Sequence, residues 1–327
     1  MESNLYLGDC LEVMKKIPDG SIDCIITDPP YWTTKCSWDS VIPFEPMWEQ
    51  LKRIIKPNGA IVLFGSEPFS SALRMSNVKE YKYDWKWIKN NVTKFLSVDV
   101  NPLKSHEDIL VFHPEGHLRD LGKFLKHKRE EKGITKSKMD SLLNTNTLYS
   151  FFEGRKLRGE TIYSIPNKQH WNILCDILGI NKDDEIYPKD RVFNHINLED
   201  THKEISKRDK HREDTHYSFN ANEYTQEKTN YSRDVLYFSQ DKGRFHQTQK
   251  PVALIEYLIK TYTKEWETVL DFTAGSFTTA VASDNTNRKW ICIEQDLWYC
   301  KIWAKRINEN RLKLWLDILD FTSILTK

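Results

Sequence analysis

Short apolar runs that stop abruptly at polar or proline-rich turns alternate along this chain with stretches of helical period. The run Ile22-Asp23-Cys24-Ile25-Ile26-Thr27 predicts a short buried strand. Ala60 to Phe64, Thr268 to Phe272 and Lys289 to Ile293 read the same way. Helices are predicted between them: Cys10 to Ile17 behind an Asp9 N-cap, Pro46 to Ile55, Val252 to Ile259 behind Pro251, and one opening near Ala280. Such alternation predicts an α/β fold with an open sheet. From Lys301 to Leu325 basic and apolar positions alternate as in a helix that packs on the sheet or on a second subunit.

Asp28-Pro29-Pro30-Tyr31 closes the first run. Two prolines cannot continue a parallel ladder, so the chain leaves the sheet there. A carboxylate, a rigid carbonyl and an aromatic ring then meet at the carboxyl end of a strand, the edge where open α/β sheets bind ligands. Without context this is a strand-ending turn with a buried Tyr. The tetrapeptide resembles the (D/N/S)-P-P-(Y/F/W) motif of the DNA amino-methyltransferases. The resemblance implies that the Asp28 carboxylate and the Pro29 carbonyl hold the N–H groups of an exocyclic amine. Tyr31 would stack on a base drawn out of the duplex, under a loop carrying Trp32 and Lys35.

A second strand and turn, Asp271-Phe272-Thr273-Ala274-Gly275-Ser276, resembles the family's signature for S-adenosylmethionine. A tight turn into a helix offers N–H groups to an anion. Glu294, nineteen residues after Gly275, stands where Rossmann-like folds hold ribose hydroxyls. Phe277 replaces a family glycine and either packs away from the cofactor or crowds it. His246-Gln247-Thr248-Gln249-Lys250-Pro251 is similar to the family's H-P-T-Q-K-P segment, which implies that Thr248, Gln249 and Lys250 line the methionine end of the cofactor. Asp9, with Cys10 beside it, matches the segment that meets the cofactor's adenine. His106 and Glu107 either face the flipped base or cap a strand.

With the target motif first and the cofactor motif last, the order resembles the circularly permuted β-class, over about residues 1–114 and 231–310. That implies a permuted Rossmann-like methyltransferase sheet in residues 1–116 and 231–327, with a target-recognition insert at 117–230. Within the insert, predicted helices at Leu121–Gly133, Ile134–Leu143, about Asn144–Phe152 and Asn167–Leu178 resemble the helix-turn-helix of Xre-type repressors, over about 119–180. Between Arg119 and Arg158 eleven basic residues face five acidic ones, while the whole chain is only +1, which suits phosphate contacts. Asn144, Asn146, Thr147 and Tyr149 are base-facing candidates, and Arg155, Lys156 and Arg158 phosphate candidates. The polar stretch Asn194–Asn230 predicts a flexible or DNA-ordered linker. Val235–Phe238, flanked by Arg233 and Arg244, returns the chain to the sheet.

Six cysteines without a C-x-x-C pair predict a reducing compartment and no zinc site. The absence of a leader or a long apolar run predicts a soluble, cytoplasmic protein of a bacterium or phage-infected cell. The expected activity is site-specific methylation of adenine N6 in double-stranded DNA, with S-adenosylmethionine as cofactor. Cytosine N4, RNA, or a weakly active DNA-binding subunit are the rivals. A homodimer and a restriction-modification partner are further options.

Overall fold

The computed structural model describes residues 2–31, 40–93, 99–114, 116–143, 155–157, 160–162, 168–180, 192–196, 198–205, 224–241 and 249–322. The first part of the chain forms β1 (Asn4–Leu7), α1 (Cys10–Met14), β2 (Ile22–Thr27), α2 (Phe44–Ile54), β3 (Ile55–Gly65), α3 (Phe69–Ser76), β4 (Tyr81–Thr93) and β5 (Lys104–Phe112). Then follow α4 (Gly116–Glu131), α5 (Lys136–Leu143), β6 (Arg155–Leu157), β7 (Glu160–Ile162), α6 (Lys168–Leu178), β8 (Glu199–Ile205) and β9 (Tyr224–Thr229). The last part forms β10 (Val235–Tyr237), α7 (Val252–Tyr262), β11 (Thr268–Asp271), α8 (Thr278–Asn285), β12 (Lys289–Glu294) and α9 (Leu297–Lys313).

The main sheet has the order β1-β12-β11-β2-β3-β5-β4-β10. Pairing is parallel from β1 to β3, antiparallel on both sides of β5, and parallel again between β4 and β10. The order interleaves the two ends of the chain, as the permuted arrangement requires. From β11 the chain crosses through α8 to β12, and from β2 through α2 to β3 on the opposite side. The strand order therefore reverses between β11 and β2, the point where an open α/β sheet binds its ligand.

Strand β2 is buried along its whole length, as expected for a parallel strand covered on both faces. Ile22 and Ile25 pack against Val13, Leu51 and Leu73 from α1, α2 and α3. Cys24 and Ile26 pack against Leu254 and Leu258 of α7. Gly59 is required where β3 enters, because a Cβ there would sit 2.7 Å from the Asp23 carbonyl oxygen.

Two expectations change. Helix α9 starts before Lys301 and ends at Lys313; Trp315 takes a positive φ of 57° and Leu316 N–H closes on the Arg311 carbonyl at 2.9 Å. Its Trp303, Ala304 and Ile307 join Leu5 and Trp290 in one core, so the helix packs on the sheet. The polar stretch expected as a linker is partly ordered by backbone pairing, because β8 and β9 form an antiparallel ribbon. Its start is docked as well: Asn194 N–H donates to the Thr261 carbonyl at 2.8 Å, and the Phe193 ring lies parallel to Trp85 at 6.1 Å. In the insert, α4, α5 and α6 share a small core of Leu121, Leu125, Met139, Trp171 and Leu174. Between α5 and α6 the described residues form an antiparallel β6–β7 pair, while the helix expected near Asn144 lies outside the described residues.

Candidate active site

Strands β11 and β2 are stitched together where they leave the sheet. The Thr27 hydroxyl donates to Asp271 at 2.5 Å, and the Thr279 hydroxyl donates to the other Asp271 oxygen at 2.7 Å. Thr273 N–H also donates to Asp271, at 3.2 Å, while the Thr273 hydroxyl reaches the Asp28 carbonyl at 3.1 Å. The two sequence motifs thus share one hydrogen-bonded seam. Burial pushes the Asp271 carboxyl up to about 6, against the pull of these donors.

A cleft of about 1060 Å³ opens above this seam, with Asp9, Asp28, Lys104, Lys250, Gly275 and Glu294 in its walls. At one end the turn after β11 depends on Gly275, whose φ is +48°. Gly275 N–H donates to Glu294 at 2.8 Å, and Asp296 N–H to the other Glu294 oxygen at 2.9 Å. Burial raises the Glu294 pKa above the usual carboxylate value. Asp9 caps α1 by accepting from Leu11 and Glu12 N–H at 2.9 and 3.1 Å. Burial, with the Asp9 and Glu294 charges, pushes the neighbouring Cys10 thiol up to about 11. Phe272 is buried beneath the cleft, and the Ser276 hydroxyl bonds to Thr278 at 3.0 Å. Phe277 is fully buried and turns into the core with Leu5, Trp290 and Trp303. It adopts φ 55°, a left-handed conformation that explains the glycine in the family pattern.

At the other end, the Asp28 carboxylate accepts from the Tyr31 hydroxyl through one oxygen and from the Lys250 ammonium through the other. The Tyr31 ring packs on Phe69 with centroids 5.0 Å apart. Lys250 Nζ lies 3.5 Å from Glu107 and 5.0 Å from the centre of the Phe64 ring. Lys89 completes the row by pairing with Glu107. Lys250 is placed by Pro251, which starts α7, and by Asp241, which accepts from Val252 N–H at 3.2 Å and from Gln249 at 3.3 Å. Burial, then the Glu107 charge, lift the Asp28 carboxyl above its ordinary range despite Lys250. Burial opposes the charged forms of Lys250 and Glu107 as well, but their partners prevail: Lys250 is held above the usual lysine value and Glu107 below the usual glutamate value.

Of the pair left open by sequence, Glu107 lines the cleft. His106 is exposed and pairs with Ile88 across the β4–β5 ladder; alternation along the strand turns it to the opposite face. Arg155 and Lys156 lie in β6, paired with Ile162 and Thr161. Trp32, Lys35, Asn144, Asn146, Thr147, Tyr149, Arg158 and Thr248 lie outside the described residues. Sequence reasoning missed Thr27, Lys89 and Asp241 as parts of the site; Thr27 alone carried a signal, as a hydroxyl at the end of a buried strand.

The profile of the N6 and N4 DNA methylases matches residues 22–305. The Type II methyltransferase M.HpaI of Haemophilus parainfluenzae is 28% identical over 127 residues, 35% of this chain and 40% of its own length. M2.LlaDCHI of Lactococcus lactis subsp. cremoris is 42% identical over 65 residues, 20% of this chain and 24% of its own. The matched stretches thus span less than half of either relative. The structure of M1.HpyAVI with S-adenosylmethionine aligns with a TM-score of 0.48 at 18% identity, over 93% of this chain and 98% of that one. Because the family match runs through both motifs and the insert between them, the chain belongs to the DNA methylase family.

Proposed function

We propose that this chain transfers a methyl group from S-adenosylmethionine to the exocyclic N6 of an adenine drawn out of duplex DNA. The observation that carries the reading is the joining of the Asp28 motif and the 271–276 turn in one cleft by Thr27, Thr273 and Asp271. The cleft suits the cofactor. The Glu294 carboxylate accepts backbone N–H groups on both oxygens and keeps lone-pair capacity for a ribose hydroxyl. Asp9 stands on the same wall, and the Phe277 ring lies outside it. The bound cofactor would supply an electrophilic methyl group. The chain's own residues act on the acceptor: Asp28 and the Pro29 carbonyl take the amine N–H groups, and Tyr31 offers a face to the base. No covalent intermediate is needed, so catalysis rests on positioning.

Adenine is assigned over cytosine because Asp opens the tetrapeptide, a choice commoner in the adenine enzymes of the family. The insert, with Arg155 and Lys156, is assigned to target recognition, and Type II relatives suggest a cognate restriction enzyme. The test is transfer of labelled methyl to unmethylated genomic DNA, with nucleoside analysis and single-stranded RNA as competitor. Label in N6-methyladenine supports the reading, and label in N4-methylcytosine changes only the base. No label on any nucleic acid, with no cofactor binding by calorimetry, would sink it.

A further inference from the structure

The row Asp28–Lys250–Glu107–Lys89 alternates in charge across the target end of the cleft. Lys250 is only 8% exposed, so its ammonium meets carboxylates and the Phe64 ring in place of bulk water. Its partners sit at the target end, 222 residues away in sequence in the case of Asp28. We propose that Lys250 is a positioning residue for methyl transfer: clamped between Asp28 and Glu107, it keeps the Asp28 carboxylate ionised and aimed as an acceptor for the target amine. This assignment rests on the function proposed above and replaces the implied cofactor role of Lys250.

The chemistry requires such a group. A protonated Asp28 would present a donor to an amine that itself donates, and burial drives Asp28 toward that form. Among the described residues, the groups facing Asp28 are Tyr31 on its own loop, Lys250 ahead of α7, Glu107 on β5 and Asp271 on β11, with Lys89 on β4 reaching it through Glu107. Lys250 is, among the described residues, the positive charge that touches Asp28 directly. Glu107 holds Lys250 from behind, and Lys89 offsets the negative charge that Glu107 adds.

The test compares the full-length protein with Lys250→Met, Lys250→Arg and Glu107→Gln. Methyl-transfer rates are followed from about pH 5.5 to 9, cofactor affinity is measured by calorimetry, and the Asp28 carboxyl is titrated by carbon NMR, assigned with Asp28→Asn. In Lys250→Met, kcat should fall about 100-fold near neutral pH. Its acid limb and the Asp28 titration should move up by about one to three pH units, with cofactor affinity within about threefold of the parent. Lys250→Arg should restore the limb. Glu107→Gln, which removes a negative neighbour, should move both curves to lower pH, and it decides the matter if Lys250→Met does not fold. Unmoved titrations overturn the proposal. So does a Lys250→Met protein whose main defect is a tenfold or greater loss of cofactor affinity. The carboxyl titration reads the coupling without turnover, so a parent protein inactive on DNA would strike the functional reading alone.

Discussion

The two ends of the cleft satisfy their carboxylates with different partners. At the turn end, Asp271, Glu294 and Asp9 accept from hydroxyls and backbone N–H groups, all neutral. At the target end, Asp28 and Glu107 accept from the ammonium groups of Lys250 and Lys89, with one hydroxyl from Tyr31. Neutral donors fix geometry: they pin the turn and seam, and the Asp271 and Glu294 carboxyls titrate high because burial prevails. Charged donors act on protonation state: they hold Glu107 low, and Lys250 opposes the burial that still lifts Asp28. On the proposed function, one end is a scaffold and the other a reactive surface.

The largest effect should come from breaking the reactive end. Asp28→Ala removes the acceptor and should cut methyl transfer by about 1,000-fold or more, with cofactor affinity nearly unchanged. Single-turnover transfer and calorimetry together check this, and retained activity would refute the assigned mechanism. Breaking the scaffold end should do the reverse. Phe277→Ala should cost about 3–5 kcal/mol of stability by leaving a cavity, while cofactor affinity in the folded fraction holds. Phe277→Gly should be the more stable of the two, by about 1 kcal/mol, because glycine relieves the left-handed backbone. Denaturant midpoints that rank Ala above Gly would contradict the positive φ.

The same contrast decides what the sequence made legible. The seam elements are local: Asp28-Pro29-Pro30-Tyr31 and the Gly275 turn each announce a strand end within a few residues, and both lie where expected. The charged row is not local. Lys89 and Glu107 approach each other only through the antiparallel register of β4 and β5, where Trp87 faces Glu107 and Ile88 faces His106. No short-range pattern encodes that register. Phe277 was ambiguous because its direction depends on a backbone angle. The β8–β9 ribbon was invisible for another reason: it is held by backbone pairing between polar segments, so the apolar alternation that marks a half-buried strand is missing.

A smaller effect should sharpen the scaffold side. A rise in the Asp271 pKa from 3.8 to about 6 means that the folded state binds the proton more tightly than the unfolded chain. The corresponding stability is full below about pH 4 and is lost as pH rises through about 6, to about 3 kcal/mol in all. Asp271→Asn keeps an acceptor for Thr27 and removes the titration. Denaturant unfolding of both proteins at pH 4 to 7 should show the parent losing up to about 3 kcal/mol that the variant keeps. Parallel curves would mean that the three donors hold Asp271 ionised.

The smallest effect separates the two kinds of donor on one carboxylate. Tyr31→Phe removes the neutral donor from Asp28 and leaves the ring on Phe69. A hydroxyl donated to an ionised carboxylate is worth about 1.5–3 kcal/mol, of which only the part specific to the transition state reaches kcat, so kcat should fall about tenfold. The hydroxyl lowers the Asp28 pKa, so its loss should shift the acid limb upward, by less than in Lys250→Met. Tyr31→Ala should instead raise KM for DNA, because it removes the face offered to the base. If Tyr31→Phe moved the limb as far as Lys250→Met, the hydroxyl would be setting the charge state of Asp28, and the division between a neutral scaffold and a charged reactive surface would fail at its one shared residue.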